Sequence, residues 1–453
     1  MPVPESETAM RESRKDGIEG FLAAFGESPR AGEPSWLGAF RESSLAQFAE
    51  AGIPRVQEEE WKYTNLRNLK NKTFEVPQPQ APGESPAGLI DIGTAGDDIY
   101  ALVFLNGIYS ADLSSPPGQE SGVAVLDLAS AIESRPAELE SLLGKNASAG
   151  FQVFSSLNNA LFTQGAYVHV SSQASLDKPL HLLYLATGID APFMVHPRNL
   201  FRIDEGGKID IVEDYSGACE TEYFCNPVTE IFAAKDSAVG FYKVVREGAA
   251  ATHVSNLGVL QEGQSSFTAS TYCLGGKTIR NDVVAQLDGE NIECTLNGLA
   301  VGSEDQHIDN HTRIIHAKPN CNSWEVYKSI LADRSHGVFN GKIFVAQDAQ
   351  KTDAKQTNQS LLLSESAVMD SKPELEIYAD DVKCTHGATV GQLDEEGMFY
   401  LRSRGIPEKR ARDLLVFAFA SDLVTGVAIP SLKTRIEAAL FDKLPGNAEP
   451  SSN

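Results

Sequence analysis

The stretch Glu262–Ser303, EGQSSFTASTYCLGGKTIRNDVVAQLDGENIECTLNGLAVGS, decides how the chain folds. Gly263, Gly276, Gly289 and Gly302 stand thirteen residues apart in it, each beside a polar turn residue: Glu262, Lys277, Asp288 or Ser303. Such fixed spacing is an internal repeat. Between the glycines, Phe267, Ala269 and Cys273, then Ile279, Val283, Ala285 and Leu287, then Ile292, Cys294 and Leu296 alternate with polar neighbours. Alternation with period two marks a strand with one buried face, so each repeat supplies one such strand. Two architectures accept these strands: an antiparallel meander closing into a sandwich or barrel, and a solenoid whose strands stack as coils. The β-type runs extend from Ile99 to Ala379. That length is large for one sandwich and natural for a solenoid, whose core grows by adding coils.

Outside this region the pattern is helical. Phe21, Phe25, Leu37, Phe40, Leu45 and Phe48 recur at helical spacings until Gly52 and Pro54 break them. In the following EEEWKYTNLRNL, Trp61 and Tyr63 read as aromatics docking an arm onto the body rather than as a ligand site. VPQPQAPGESP (Val76–Pro86), with four prolines in eleven residues, is a linker. Leu126–Leu143 and Phe151–Phe162 are helical candidates inside the β region, and Gly206-Gly207 is a hairpin or coil turn. Beyond Gly391, LDEEGMFYLRSRG has acids first, bases last and Gly405 as its stop. Pro407 and Glu408 open a second helix that ends at Gly426, and Leu432, Ile436 and Leu440 share one face of a third. The expected organisation is an N-terminal helical region (1–75), a proline-rich linker (76–95), a β-solenoid core (96–390), a C-terminal helical domain (391–445) and a polar tail (446–453).

A net charge of -24 over 453 residues disfavours nucleic acid and anionic membranes as partners and points to proteins. No apolar run is long enough to span a bilayer, and MPVPESETAMRESRKDGIEG resembles neither a secretory signal nor a transit peptide, so a cytoplasmic location is expected. Six cysteines without a CxxC pair read as reduced and mostly packed thiols.

Three motifs carry candidate chemistry. EDQHIDNHTRIIHA spaces His307 and His311 as a zinc helix would, but Thr312, Ile314 and Ile315 favour extended chain. In a strand those two histidines lie about 13 Å apart and His316 faces the other way, so polar ladder residues on the body surface are the better account. No serine elbow, Walker loop or dinucleotide fingerprint occurs, and no pair among the 62 acids stands out as a catalytic dyad. VKCTHGATVG (Val382–Gly391) is sharper. On a strand Cys384 and His386 leave one face with origins about 7 Å apart, close enough to share zinc, iron or an iron–sulfur cluster. Two ligands are half a set, because such centres use four. The alternative is a strand end with Cys384 packed and His386 bonded to backbone.

The blocks DDVKCTHGATVGQLDEEGMFYLRSRGI and PEKRARDLLVFAFASDLV resemble the C-terminal signature of the SufB/SufD family of SUF iron–sulfur cluster assembly proteins. WKYTNL, DNHTRIIHAKP, SWEVYKSIL and QTNQSLLLS resemble the same family, and the likeness runs from Trp61 to about Val424. It implies a right-handed parallel β-helix with helical N- and C-terminal regions. It also implies a non-enzymatic scaffold that pairs with a SufB-like subunit and a SufC-like ABC ATPase, where a transient iron–sulfur cluster forms at the SufB interface. The resemblance gives His386 a part at that interface and Cys384 a less secure ligand role. SufB-type chains carry Glu-His-Glu-Ala-Thr where this one has CTHGAT, and a ligand cysteine where this one has Leu401, so the likeness is to the SufD side. The ATPase contact is implied on the helices of Asp394–Leu440, with Arg404, Arg410, Phe417 and Leu423 as candidates. The basic run Arg402, Arg404, Lys409, Arg410, Arg412 also reads simply as a solvated face. A homodimer of the isolated chain through an exposed last strand is a further expectation. The competing reading is a β-solenoid metalloenzyme or carbohydrate-active enzyme acting alone, which requires a cleft of clustered acids or aromatics.

Overall fold

The computed structural model describes residues 17–27, 32–77, 98–118, 122–146, 152–187, 189 and 191–443. Most of the proline-rich linker, the polar tail and residues 1–16 lie outside the described residues. The body is a parallel β-solenoid of about eight turns, with helices at its N- and C-terminal sides. Two facing sheets are visited alternately. Thr252–Gln261, Thr278–Leu287, His307–His316, His336–Val345 and Val368–Ile377 are successive neighbours in one. Ser266–Gly275, Glu293–Gly302, Asn322–Leu331, Asp353–Leu362 and Lys383–Gly391 are successive neighbours in the other. Within each series strands begin 26 to 32 residues apart, so one thirteen-residue unit is half a coil.

Two of the four spaced glycines have a steric reason. Gly276 turns with φ +108°, and a Cβ on Gly289 would lie 2.1 Å from the Gly263 nitrogen of the adjacent coil. The steadier marker of the coil is a left-handed residue at the corner entering the second sheet: Gly206, Asp236, Gln264, Asn291, Asn320 and Lys351. Four of these six are Gly, Asp or Asn, which take that conformation at lowest cost, and Gln264 and Lys351 keep the corner polar. Gly206-Gly207 is thus a coil turn, joining Arg198–Ile203 of one sheet to Lys208–Gly217 of the other.

Parallel in-register pairing stacks like positions into columns along the lumen. Phe104, Tyr184 and Tyr215 are register partners, with ring centroids 4.6 and 4.9 Å apart, the natural spacing of adjacent strands. Another column runs Phe241, Ala269, Leu296, Glu325, Gln356 and His386. The alternating apolar residues of the 262–303 stretch all face this core.

The expectation of one buried face per strand gives way in the middle, where both faces are covered, and at Lys383–Gly391, where neither face is fully buried. Outside the second sheet, Leu423, Val424, Leu432, Ile436 and Leu440 of helices Glu408–Thr425 and Pro430–Lys443 pack against Tyr242, Tyr272, Leu299 and Ile330. The Tyr272 hydroxyl donates to the Leu423 carbonyl at 2.9 Å, and Lys328 Nζ bonds Asp422 at 2.8 Å. Each apolar side chain buried this way contributes ~1.5–3 kcal/mol.

The N-terminal arm covers the first sheet. Helices Glu19–Glu27 and Ser35–Ala51 lead to Trp61, whose ring lies under the Arg280 guanidinium at 3.7 Å. Arg280 donates to the Glu60 carbonyl at 2.7 Å and to Asp309 at 3.0 Å, and pairs with Asp282. The Thr64 hydroxyl meets His307 Nε2 at 2.8 Å and donates to Asp309. WKYTNL is therefore a docking arm, seated on Arg280 and Phe154 through Trp61 and on His307 and Asp309 through Thr64.

Candidate functional site

The two ends of the solenoid are finished differently. At the first, Tyr100–Leu105 pairs antiparallel with Ile108–Ser115, and Val123–Asp127 with Ala166–Val170. Leu128, Ala131 and Leu139 of the helices Leu128–Ser134 and Pro136–Leu142 pack there against Tyr167 and Leu200. At the other, Val368–Ile377 and Lys383–Gly391 are the outermost strands, each paired on one side only. Their outer edges present unpaired backbone donors and acceptors, a template for another strand.

Cys384 and His386 stand on the lumen-facing side of that last strand, opposite Ala354 and Gln356. The side of the lumen that a further coil would close is open. His386 is exposed, and among the described residues its imidazole has no hydrogen-bond partner. Cys384 is half-buried beside Ala354, Ala379 and Leu375; burial, then the charge of Asp353, push its thiol above the usual range.

Beneath His386 the lumen turns polar. Gln356 is buried and donates from Nε2 to Glu325 Oε2 at 2.7 Å. That leaves Gln356 Oε1 and Glu325 Oε1 without partners. Burial pushes the Glu325 carboxyl up to about 7. Gly341 in the facing sheet makes the space, since a Cβ there would lie 2.3 Å from Gln356 Nε2. Period-two counting along DAKQTNQSLL puts Gln356, Asn358 and Ser360 on the Ala354 face, so this signal was present in the sequence; Glu325 becomes visible only through cross-coil register.

The histidine run is extended, as its residue types require, but the surface ladder expected there is not what the fold makes. His311 and His316 are buried. His311 faces outward beneath the arm, bonded to Asp309 at 3.0 Å, while His316 faces the lumen and meets Ser323 at 2.9 Å. The arm and a neighbouring coil supply the cover, which local sequence does not reveal. Burial depresses His307 and His316 to about 4, keeping both neutral.

The C-terminal candidates divide. Arg404 is exposed, 5.3 Å over the Tyr400 ring, and Arg410 is exposed as well. Phe417 is half-buried and stacked on Phe441 at 4.6 Å. Leu423 turns inward onto the solenoid, so as a partner contact it is corrected: its side chain belongs to this chain's own core. Arg412 likewise folds back to the Leu363 carbonyl at 2.8 Å. Phe399 and Tyr400 of helix Glu395–Ser403 are exposed at 75% and 57%, an aromatic surface the sequence reading passed over. Between this helix, Glu408–Thr425 and the Leu362–Leu363 strand end lies a cleft of about 680 Å³, lined by Glu365, Glu395, Glu408 and Asp413 with Lys409 and Arg412.

Fold and site together define a two-sheet parallel β-solenoid protein, capped at one end, open at the other, with a thiol and an imidazole on its terminal lumenal strand. The chain belongs to the SufBD family of the SUF iron–sulfur cluster assembly system. Residues 184–419 match the family model of the SufBD core domain and residues 27–182 that of the SufBD N-terminal region. It is similar to the iron–sulfur cluster assembly protein SufD of Escherichia coli (strain K12), 32% identical over 89% of this chain and 92% of the relative. It is also similar to a SufBD family protein of Synechocystis, 31% identical over 89% and 90%, and to a chloroplastic protein of Arabidopsis thaliana named ABCI7, 28% identical over 90% and 85%. Among the described residues no helix is long and apolar enough to cross a membrane.

Proposed function

We propose that this chain is a non-enzymatic scaffold subunit of a SUF complex, joining a SufB-like subunit through the open end of its solenoid and a SufC-like ABC ATPase through its C-terminal helices. A nascent iron–sulfur cluster is the cargo, held at the SufB junction with His386 as one ligand and Cys384 as the weaker second. The observation that carries this reading is His386 itself: an exposed, unpartnered imidazole facing the lumen from a strand with an open edge. Two side chains cannot complete a four-ligand centre, so a partner must supply the rest. Gln356 stands next to His386 in register, with Oε1 free to accept a ring N–H once a partner covers the end, which would fix the tautomer and leave the other nitrogen for iron. Closure of the ATPase dimer would pull on the helices that carry Arg404, Arg410 and Phe417 and so move the adjoining last strand.

The test is anaerobic reconstitution with and without the two partners, read by iron and sulfide counts and Mössbauer spectra. Wild type should load a cluster only with the partners present, and His386→Ala should fold yet fail to load. Equal loading by His386→Ala sinks the assignment. The acid-lined cleft supports a second reading, a carbohydrate-active enzyme; turnover of a polysaccharide by the isolated chain would favour it. In isolation the same open edge supports a homodimer, which sedimentation would show.

A further inference from the structure

Several coils away from the open end, the start of the solenoid holds a second group of donors. Cys225 ends the short strand Tyr223–Cys225, which pairs in parallel with Thr252–Gln261, and in that register Cys225 stands opposite His253. Their side chains therefore begin about 4.8 Å apart. Glu247 comes from the turn between Ala238–Arg246 and Thr252–Gln261. One sulfur, one carboxylate oxygen and one ring nitrogen from these three residues lie within 4.8 Å of one another, the one such group among the described residues. All three residues are buried, with exposures of 2%, 6% and 0%.

The group is held as a built site is held. Glu247 Oε1 meets His253 Nδ1 at 2.9 Å, and Oε2 accepts from the Tyr223 hydroxyl at 2.5 Å. Tyr223 is itself fixed by the Gly248 N–H at 2.9 Å. His253 Nε2 is buried without a hydrogen-bond partner. Cys225 and Glu247 also line a cavity of about 10 Å³, bounded by Tyr215, Tyr223, Val195 and the Asn106-Gly107 turn. A void of that size is at the lower limit for one water.

We propose that Cys225, Glu247 and His253 bind one divalent cation of borderline softness, Zn²⁺ or Fe²⁺, with a water in the adjoining cavity as fourth ligand. Thiolate, imidazole and carboxylate suit both ions, and three protein ligands with one open position is a recurrent arrangement. Bond lengths of about 2.0–2.3 Å put tetrahedral donors roughly 3.5 Å apart, so the widest pair would draw together by at most about 1 Å. Burial and Glu247 hold the Cys225 thiol protonated, and burial depresses the His253 imidazole to about 4, keeping it neutral. Binding therefore releases the thiol proton, and affinity rises with pH. Glu213 and Lys243 are the other groups whose charges act on the Cys225 thiol. Burial lowers the Lys243 amine to about 8; it lies 5.2 Å from the Tyr215 ring centre, and among the described residues no hydrogen bond ties it to the three donors. This site is independent of the cluster reading at His386.

The test is anaerobic titration of the full chain with Co²⁺ as a spectroscopic probe, and separately with Zn²⁺ and Fe²⁺ by calorimetry. Expected are one equivalent bound, a thiolate-to-cobalt charge-transfer band that Zn²⁺ displaces, and one proton released. The band should vanish in Cys225→Ala and in Cys225→Ser, and persist in a Cys384→Ala, His386→Ala double variant. Using two Cys225 variants guards against a misfolded one, with circular dichroism as the check. His253→Gln should weaken binding at least ten-fold. Absence of the band in wild type, its survival in Cys225→Ser, or its loss in the Cys384→Ala, His386→Ala variant would each overturn the proposal, as would failure of both Zn²⁺ and Fe²⁺ to bind.

Discussion

The coils around Arg280 and the coil that carries His386 are the same two-strand unit, and they differ in what covers them. Around Arg280 the lumen is filled, the outer face lies under the N-terminal arm, the opposite sheet lies under the C-terminal helices, and both edges are paired. Around His386 the strand is exposed almost throughout and one edge is free. A solenoid strand gains most of its stability from its neighbours. The last coil has given up half of them, and that is where the unpartnered chemistry sits.

Three changes test this contrast, from the largest expected effect downward. Arg280→Met removes the cation between buried Asp282 and Asp309 and should cost about 3–5 kcal/mol in urea unfolding, because two acids are left without it. A loss near that of an exposed arginine would mean the arm does not seal this face. Glu325→Gln reports on the lumen between the two regions. Its carboxyl is raised from an ordinary 4.5 to about 7, so its stabilising share is full below the lower value and is lost as pH rises through the upper. The variant's advantage over wild type should grow between those limits by about 1.4 kcal/mol per pH unit, to at most about 3 kcal/mol, and stay level above them. Parallel stability curves for the two proteins would place Glu325 in contact with water. His386→Ala should change unfolding by no more than about 0.5 kcal/mol, since the ring is exposed and makes no hydrogen bond among the described residues. A larger loss would show that the open end is packed in solution.

Much of the fold could be read in advance because its causes are local. Polar turn residues at fixed spacing and period-two alternation identify stacked strands, and Asp394, Gly405 and Gly426 bracket the C-terminal helices. The Asp394 side chain accepts from the Glu396 N–H at 3.0 Å, a cap any sequence reading can place. The spacing of Cys384 and His386 on one strand face was legible for the same reason.

What surrounds those strands was not. Whether His311 lies in water or under Trp61's arm, whether Leu423 faces a partner or Tyr272, and whether Cys225 meets His253 all depend on segments far apart in the chain coming together. The sequence by itself determined the repeat, the helices and the strand that places Cys384 and His386 on one face, because each follows from near neighbours along the chain. Only the tertiary structure decided which strand faces were covered, which coil was left open and which buried donors met, because register between coils is a property of the stacked whole.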